Sequence, residues 1–454
     1  MSQKELLYDL NLSPLYDKMR EEYVIDPHYY RNANIKRGLR NADGTGVIAG
    51  VTKIGSVQGY VVQDGERTPI PGKLYYRGIS IEDIIDAHLQ ADSFGYEEVA
   101  CLLLTGNLPN AQELELFRSV LAKARPLPNN FFEDMILKAP SRDVMNKLSR
   151  GVLALYSYDS NPDDTSPENL MRQSIELVAR FPSIVANAYA VKRHYYDGKS
   201  LHIHIPKENL SLSENFLRMV RSHKTYSDEE AKLLDLMLIL HAEHGGGNNS
   251  AFTCRTLSSS GTDTYSAIAG AVGSLKGPLH GGANRMVMEM FRRIRDGVRD
   301  YNDDDEIRSF LGKILDGTEG NGSGKIYGLG HAVYTVSDPR AVILRKYASS
   351  MAERTGRAEE FRLMESVERI GVPLIMERKN HELPMCANVD LYSGLVYSML
   401  DIPEELFTPL FAIARVAGWC AHRMEEVITC NRLIRPGYQS ALKPRSYVPM
   451  AQRG

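Results

Sequence analysis

The chain has 454 residues, 43% of them hydrophobic and 24% charged, so it can bury a large core and divide into more than one lobe. Its 54 Lys and Arg nearly balance 57 Asp and Glu, for a formal charge of −3, which excludes the basic surface of a nucleic-acid-binding protein and a polybasic membrane signal. The five scattered cysteines include no CxxC pair, which argues against a disulfide framework or a thiolate zinc site.

The N-terminal segment, residues 1–22, carries acidic residues and lacks an uninterrupted apolar core, which argues against a signal or transit peptide. No stretch approaches the roughly 18 apolar residues of a membrane span. Together with the unpaired cysteines, these features predict a cytoplasmic protein.

The predicted elements are mostly helical, so the fold class is mainly α, with a little β structure near the N-terminus. Strand patterns occur around 47–63 and 73–77, and the Pro-rich segment 159–168 is predicted to be a surface loop. Helical patterns lie near 81–90, 96–105, 111–124, 168–190, 227–240, 265–276, 284–296, 340–355, 358–370 and 404–432.

The helix that begins at Ser227 has a capping box with Glu230, and the glycines 245–247 are predicted to end it. His241 and His244 are three residues apart and would share one helix face near its C-terminus. The helix dipole there favours imidazolium, which could hold an anionic substrate. The alternative is a helix end whose histidines make only local hydrogen bonds.

His280 lies in LKGPLHGGAN, just before a predicted helix N-terminus. The positive end of that helix dipole opposes imidazolium, and a neutral histidine can donate a hydrogen bond to a carbonyl oxygen during enolisation. A second histidine, His331, lies in a glycine-rich turn that ends the helix-poor segment 317–330, and Arg340 follows nine residues later. The guanidinium of an arginine suits a planar carboxylate.

Asp390 precedes an apolar helical pattern, where a lone aspartate is usually an N-cap. Arg415 lies within the very apolar helix FAIARVAGWCAHRMEEV and therefore needs a partner, which could be structural or a bound carboxylate. A further arginine, Arg435, follows in LIRPGY.

Four motifs together resemble the citrate synthase family in order and spacing: HxxHGGGN from 241, KGPLHGGAN from 276, GLGHAV from 328 with DPRA, and NVDLYSGLVY from 388. Upstream segments such as LYYRGISIEDI from 74 are also similar, so the resemblance covers roughly residues 45–440. It implies a condensation of acetyl-CoA, as a substrate, with oxaloacetate, and it implies no cofactor and no metal.

The resemblance also implies roles for individual residues. Asp390 would be the general base that removes a methyl proton, His280 would stabilise the enol, and His331 would protonate the ketone of oxaloacetate. The residues implied to bind oxaloacetate are His244, Asn248, Arg340, Arg415 and Arg435, the last contributed across the interface of a homodimer. Those implied to contact coenzyme A are Lys325, Leu329, Gly330 and Ala332.

The family's architecture implies two helical domains in each subunit. A large domain would comprise residues 1–281 and 396–454, and a small domain, residues 282–395, would close over the active site.

This sequence departs from the family's pattern at positions that concern coenzyme A. Thr335 stands where many relatives have a basic residue, and Gly437 stands where a second arginine is frequent. Ala387 replaces the usual proline before NVD, and residues 143–145 replace a common His-Pro-Met element. Lys325 or Arg285 could substitute for the missing phosphate contact.

Three alternatives remain open from the sequence. The first is a 2-methylcitrate synthase that uses propionyl-CoA, since one methylene changes discrimination by only about 1–3 kcal/mol. The second is a metalloenzyme with histidine ligands, and the third is an inactive homologue with a structural role. The histidines available to a metal would be His241, His244, His280 and His331.

Overall fold

The computed structural model describes residues 19, 23–32, 34–41, 44–63, 66–379, 384–430 and 432–453. The chain forms two compact units. One comprises residues 1–50 and 435–454, and the other comprises residues 51–434.

The unit formed by residues 1–50 and 435–454 contains only short elements among its described residues. Single 3₁₀ turns occur at Pro27–Arg31, Arg37–Leu39 and Met450–Gln452, and Arg40 and Gly46 form an isolated antiparallel bridge.

The second unit is mainly helical, as the sequence predicts. Its strands are β1 (Gly55–Gln63), β2 (Glu66–Tyr76) and β3 (Ile79–Ser80). Its helices are α1 (Ile81–Gln90), α2 (Tyr96–Thr105), α3 (Ala111–Ala124), α4 (Val144–Leu155), α5 (Pro167–Asp197), α6 (Leu212–Val220), α7 (Asp228–His241), α8 (Asn249–Ser258), α9 (Thr264–Lys276), α10 (Ala283–Gly297), α11 (Asp304–Leu315), α12 (Pro339–Arg354), α13 (Ala358–Lys379), α14 (Asp390–Met399) and α15 (Phe407–Thr429).

Several predicted boundaries are wrong. Residues 47–54 lie outside the sheet, although strand was predicted from 47. Helices α5 and α13 continue to Asp197 and Lys379, past their predicted ends at 190 and 370. Four helices were not predicted from sequence: α4, α6, α8 and α11.

The three strands form one antiparallel sheet in the order β1-β2-β3. Two of its glycines allow the segment after His331 to approach closely. A Cβ at Gly59 would overlap the carbonyl oxygen of Val333, and one at Gly72 would overlap that of Ser337. The Gly72 N–H donates to the Ser337 carbonyl at 3.0 Å. The sheet therefore serves as a support for the loop that carries His331.

Helix α15 is the central helix of the core, and it packs against α2, α5, α7, α8 and α9. It is buried almost throughout, including Arg415 and Trp419, neither of which is exposed to solvent. A helix that is apolar on all sides is typical of the interior of a large core.

Helices α10 to α14 pack chiefly on one another. The contacts α10–α14, α11–α13, α12–α14 and α12–α13 form a second helical cluster. No helix among the described residues is long and apolar enough to cross a membrane. The five cysteines are free thiols, and Cys430 alone of them is exposed.

Candidate active site

Seven of the predicted site residues lie at helix ends, in adjoining turns or inside α15. His244 follows α7, Asn248 caps α8, His280 lies between α9 and α10, and His331 precedes α12. Arg340 lies in the first turn of α12, Asp390 is the first residue of α14, and Arg415 is in the middle of α15. Helix termini leave backbone donors and acceptors unpaired, which makes them suitable positions for ligand contacts.

His244 and His331 are brought together, with their ring centroids 5.2 Å apart in an edge-to-face arrangement. Tyr334 completes the group, because its ring stacks on His331 at 4.5 Å and meets His244 at 5.6 Å. Burial, and next the charge of Arg340, lowers the pKa of His244 well below its ordinary value. His244 is therefore a neutral ring, and its buried Nε2 has no hydrogen-bond partner among the described residues.

The predicted shared helix face of His241 and His244 is wrong. Helix α7 ends at His241 with Ala242 as its C-cap, so His244 lies in the turn that follows, and the glycines 245–247 come after the helix end. His241 is buried and stacks on Phe411 at 4.4 Å. The expected imidazolium is also wrong, because burial and the charges of Arg340 and Arg415 lower the pKa of both rings.

His331 has a defined orientation. Its Nδ1 accepts hydrogen bonds from the backbone N–H groups of Val333 and Tyr334, each at 3.0 Å. In the neutral ring the proton is therefore assigned to Nε2. His331 thus has a donor at Nε2.

His280 is oriented the other way round. The backbone N–H of Ser250 donates to its Nε2 at 3.3 Å, and the Ser250 hydroxyl lies 3.0 Å from the same nitrogen. Because the Ser250 hydroxyl gives its single proton to Asn248, the assignment rests on the backbone N–H, which makes Nε2 an acceptor and places the proton of the neutral ring on Nδ1. Burial, and next the charge of Arg415, lowers the pKa of His280 to about 4, so the ring is neutral at physiological pH. The predicted neutral state agrees with this, although burial rather than the helix dipole is its main cause.

Asp390 is not the N-cap that its sequence position favours. Val389 occupies the N-cap position of α14, and the carboxylate of Asp390 accepts no hydrogen bond from any residue that the structure describes. Burial raises the pKa of Asp390 to about 6, Arg340 opposes that rise, and the like charge of Asp338 adds to it. A carboxylate with a raised pKa and open oxygens is a suitable general base.

Arg340 is held by Asp338. The Nε and Nη2 atoms of Arg340 donate to the two oxygens of Asp338 at 3.0 and 2.7 Å, and Asp338 also caps α12 by accepting from the Arg340 N–H. This pairing raises the pKa of Arg340, against the effect of its burial. The Nη1 atom has no partner among the described residues, so one donor of the fork is available to a ligand.

Arg415 is fully buried, and its only hydrogen bond in the described part of the chain joins Nε to the His241 carbonyl at 2.6 Å. Neither Nη1 nor Nη2 has a partner there. Burial lowers the pKa of Arg415 to about 10, and the guanidinium lies 4.7 Å from the centre of the Phe411 ring. A buried guanidinium with two open donors is suited to bind a carboxylate.

Asn248 caps α8. Its amide oxygen accepts from the Ser250 hydroxyl at 2.8 Å and from the N–H groups of Ser250 and Ala251. The amide nitrogen has no partner among the described residues, so it is the part of Asn248 that could contact a ligand.

The structure adds supporting residues that the sequence reading missed. The Trp419 indole N–H donates to the Ser250 hydroxyl at 3.1 Å, so a rigid ring holds the hydroxyl that contacts His280. Glu243 pairs with His422 at 2.9 Å, and neither is exposed to solvent. Arg255 in turn contacts His422 and Glu426. One sequence pattern could have indicated this network: polar residues on the otherwise apolar α15.

The predicted coenzyme A contacts lie on the loop around His331, three of them before it and Ala332 directly after it. Leu329 bridges Ala387, and the Gly330 N–H donates to the Cys386 carbonyl at 2.8 Å, so this loop pairs with the segment before Asp390. Ala332 is exposed, as are Lys325 and Arg285, and neither cation forms an ion pair with a described residue. The hydroxyl of Thr335 is buried without a partner in the same described part.

Arg435 is exposed and belongs to the unit of residues 1–50 and 435–454, so its place at the site stays a prediction. Among the described residues, no group of three His, Cys, Asp or Glu side chains is arranged to hold a metal ion. The four histidines of the metalloenzyme alternative therefore do not form a ligand set.

Known proteins share this sequence and fold. The family profile described as "Citrate synthase, C-terminal domain" matches residues 41–437. A citrate synthase of Deinococcus radiodurans is 35% identical over 385 residues, covering 84% of this chain and 93% of that protein. A 2-methylcitrate synthase of Shewanella oneidensis is 32% identical over 381 residues, covering 84% and 92%.

A solved structure is also similar. It is the ternary complex of carboxymethyl coenzyme A and oxaloacetate with the citrate synthase of the archaeon Thermoplasma acidophilum. The TM-score is 0.76 at 26% identity, and the match covers 93% of this chain and 100% of that one.

Proposed function

This chain belongs to the citrate synthase family, and we propose that it condenses acetyl-CoA with oxaloacetate and water to give citrate and free coenzyme A. One observation carries the proposal: two histidines that accept backbone N–H groups at opposite ring nitrogens, a carboxylate of raised pKa and two arginines with open donors occupy the family's motif positions.

Enolisation is the first step. The methyl proton of a thioester is very weakly acidic, so a carboxylate removes it at neutral pH only if an acid assists at the carbonyl oxygen. Asp390 takes the proton, and His280 donates from Nδ1 to the thioester oxygen. The neutral state of His280 supports this role, since a neutral donor of low acidity stabilises an enol without first transferring its proton.

Condensation follows. The enol carbon attacks the ketone of oxaloacetate, a carbon–carbon bond forms, and the ketone oxygen receives a proton from Nε2 of His331. Water then hydrolyses the citryl thioester: one of its protons restores His331, the other completes the thiol of coenzyme A, and citrate leaves as the carboxylate. Asp390 releases the methyl proton to solvent. The assignment of the His331 proton to Nε2 supports this direction of transfer.

The charges of oxaloacetate are met by a few placed donors. Nη1 of Arg340 and both terminal nitrogens of Arg415 are the open guanidinium donors, and His244 and Asn248 lie on the turn between α7 and α8. The enzyme acts as a homodimer in which Arg435 comes from the partner subunit. This is the family's arrangement carried over to the matching residue.

Residues 282–395 form the lobe that closes over the substrates, and the rest of the chain forms the large domain. The packing of α10 to α14 on one another supports this division. The loop of Leu329, Gly330 and Ala332 holds coenzyme A, and Lys325 or Arg285 meets its phosphates, which the exposure of both cations supports. We expect no cofactor or metal, and we expect the enzyme in the cytoplasm, where its thiols stay reduced.

A second candidate function is 2-methylcitrate synthesis, in which the acyl group is propionyl and not acetyl. A 2-methylcitrate synthase is among the relatives. The two activities differ by one methylene, so the ratio of kcat/KM for acetyl-CoA and propionyl-CoA separates them. We expect acetyl-CoA to be preferred. A higher kcat/KM for propionyl-CoA would assign the chain to the methylcitrate reaction.

The test of the condensation is thiol release from acetyl-CoA with and without oxaloacetate, together with identification of citrate. Release that requires oxaloacetate supports the proposal. Release that is independent of oxaloacetate contradicts it, and no release with either acyl-CoA identifies an inactive member of the family.

A further inference from the structure

Three polar atoms are buried without partners at the contact between α10 and α14. They are the Ser393 and Tyr397 hydroxyls on α14 and the Asn284 amide oxygen on α10. Ser393 and Tyr397 are 0% exposed and Asn284 is 1% exposed, and none of the three atoms has a hydrogen-bond partner among the described residues. A buried polar group without a partner is unfavourable, so such a group usually contacts an ordered water.

The Ser393 and Tyr397 hydroxyls lie on the face of α14 that begins at Asp390. Seven residues bring an α-helix to within about 20° of two full turns, so Asp390 and Tyr397 share a face, and Ser393 lies on it between them. Helical side chains lean towards the N-terminus, which directs the Tyr397 hydroxyl back towards Asp390.

The same face packs on α10. A Cβ at Gly394 would lie 2.7 Å from the sulfur of Met288, so the two helices are in close contact there. Asn284 is one turn before Met288 on α10 and therefore faces α14 as well. The Tyr397 ring packs on Phe407 at 5.1 Å between centroids, which fixes its direction.

The unpaired groups on this face are complementary, because Asp390 offers hydrogen-bond acceptors and the two hydroxyls offer donors. The Asp390 carboxylate accepts no hydrogen bond from a described residue, and two hydroxyls on its own helix face donate none. Burial raises the pKa of Tyr397, and the charge of Asp390 adds to that rise, which supports their proximity. A water molecule can connect donors and acceptors that do not meet directly.

We propose that ordered water bridges the Asp390 carboxylate to the hydroxyls of Ser393 and Tyr397, so that Tyr397 is a positioning residue that favours the ionised base. Asn284 supplies a further contact for that water. This inference rests on the proposed role of Asp390 as the base.

The charges around Asp390 are few. Arg340 and Asp338 act on it from α12 and its cap. Helix α10 presents the uncharged Asn284 and Met288 to this face. The acidic groups on the other neighbours are paired elsewhere, since Glu368 of α13 bonds the Tyr392 hydroxyl and Glu404 bonds Arg292.

The test is the pH dependence of kcat/KM for acetyl-CoA in Tyr397→Phe, with Tyr392→Phe as the matched control. Both changes remove one buried hydroxyl from α14, but that of Tyr392 bonds Glu368. We expect the acid limb of Tyr397→Phe to move to higher pH by about 0.5–1 unit, because one water-mediated hydrogen bond to the ionised base is lost. The limb of Tyr392→Phe should not move.

An unmoved acid limb in Tyr397→Phe, or equal movement in both variants, would overturn the inference. If Tyr397→Phe fails to fold, Ser393→Ala decides the question in the same assay, with a shift in the same direction expected. Asp390→Asn separates the two proposals. Turnover in that variant would overturn the role of the base itself, whereas an inactive Asp390→Asn with a wild-type acid limb in Tyr397→Phe would overturn only the water bridge.

Discussion

Asp338 holds Arg340 through both of its oxygens and, through the oxygen that accepts from Nη2 of Arg340, also accepts the Val389 N–H at 3.3 Å. One fully buried carboxylate thus fixes Arg340, which is proposed to bind oxaloacetate, and the start of the helix that carries Asp390. The proposed oxaloacetate-binding arginine and the proposed base are therefore coupled through the side chain of Asp338.

Asp338→Asn should destabilise the protein, weaken oxaloacetate binding and change the pKa of Asp390. It leaves a buried guanidinium without its counter-charge, which costs about 3–5 kcal/mol of unfolding free energy, and it should raise the KM for oxaloacetate. Loss of the like charge should also lower the pKa of Asp390, so the acid limb of activity moves to lower pH. Denaturant unfolding and a pH–rate profile measure these effects.

The control for this variant is Asp303→Asn. Asp303 caps α11 by accepting from the N–H groups of Asp305 and Glu306, but it holds no arginine. Because asparagine caps a helix about as well as aspartate, Asp303→Asn should be nearly as stable as the wild type. Equal effects in the two variants would show that Asp338 acts as a cap alone.

Asp390→Asn should abolish condensation, because an amide cannot accept the methyl proton, while oxaloacetate binding stays nearly unchanged. Binding is measured by calorimetry and turnover by thiol release. Turnover close to that of the wild type would falsify the assignment of Asp390 as the base.

Activity should fall at acid pH with a midpoint near the pKa of Asp390, about 6. The sign follows from the required state: the base must be ionised, so its active fraction falls about tenfold per pH unit below that pKa. His280 should not contribute, since its pKa is about 4. A flat profile down to pH 5 would contradict this.

Arg415→Gln should remove most of the stabilisation that oxaloacetate confers. Both terminal guanidinium nitrogens of Arg415 are buried without partners in the described residues, so pairing with a carboxylate would add hydrogen bonds on binding. A ligand at 100 times its Kd adds about 2.7 kcal/mol to the unfolding free energy. The increase in melting temperature with oxaloacetate measures it.

Arg423→Gln is the matched control on the same helix. Arg423 is also buried, but it donates to the hydroxyls of Thr264 and Ser258 and to the Thr262 carbonyl. Arg423→Gln should lower the melting temperature, but oxaloacetate should still raise the melting temperature of this variant as it does in the wild type. Loss of that increase in both variants would argue against a direct contact by Arg415.

Ser250→Ala should lower kcat by roughly tenfold, the effect of about one hydrogen bond on the orientation of His280, with little change in the KM for oxaloacetate. Thr253→Ala is its control, because that hydroxyl bonds the Asn249 carbonyl on the same helix. Steady-state kinetics measure kcat and KM for both variants. An equal fall of kcat in the two would show that the substitutions disrupt α8 in general and would contradict a specific effect on His280.

The sequence predicts helices well where an apolar stripe and a cap coincide, as at Ser227, whose capping box is present in the structure. It fails for α8, because its large hydrophobic residues are few and its burial depends on neighbours far along the chain. The strand prediction from 47 fails for a related reason: alternating Val and Ile form a strand only if a partner strand pairs with them. Helix α11 was missed although its sequence carries both signals, the cap at Asp303 and an apolar stripe that includes Ile307 and Phe310.

The candidate site shows the same division. The family motifs predicted the residues of the candidate site, but not their protonation or the contacts that hold them. The tautomers of His280 and His331 depend on backbone donors at Ser250 and Val333, which no side-chain pattern encodes. The exclusion of Asp390 from the N-cap position depends on Val389 and on Asp338, which is 52 residues earlier in the chain.

The terminal nitrogens of Arg415, which lack partners among the described residues, have a consequence for the lifetime of the protein. A bound carboxylate would pair those nitrogens, so the proposed substrate would raise the unfolding free energy of this protein. Degradation in a cell samples partly unfolded molecules, whose population rises as the unfolding free energy falls. The abundance of this protein should therefore follow the supply of oxaloacetate, and cells depleted of that ketoacid should clear it faster.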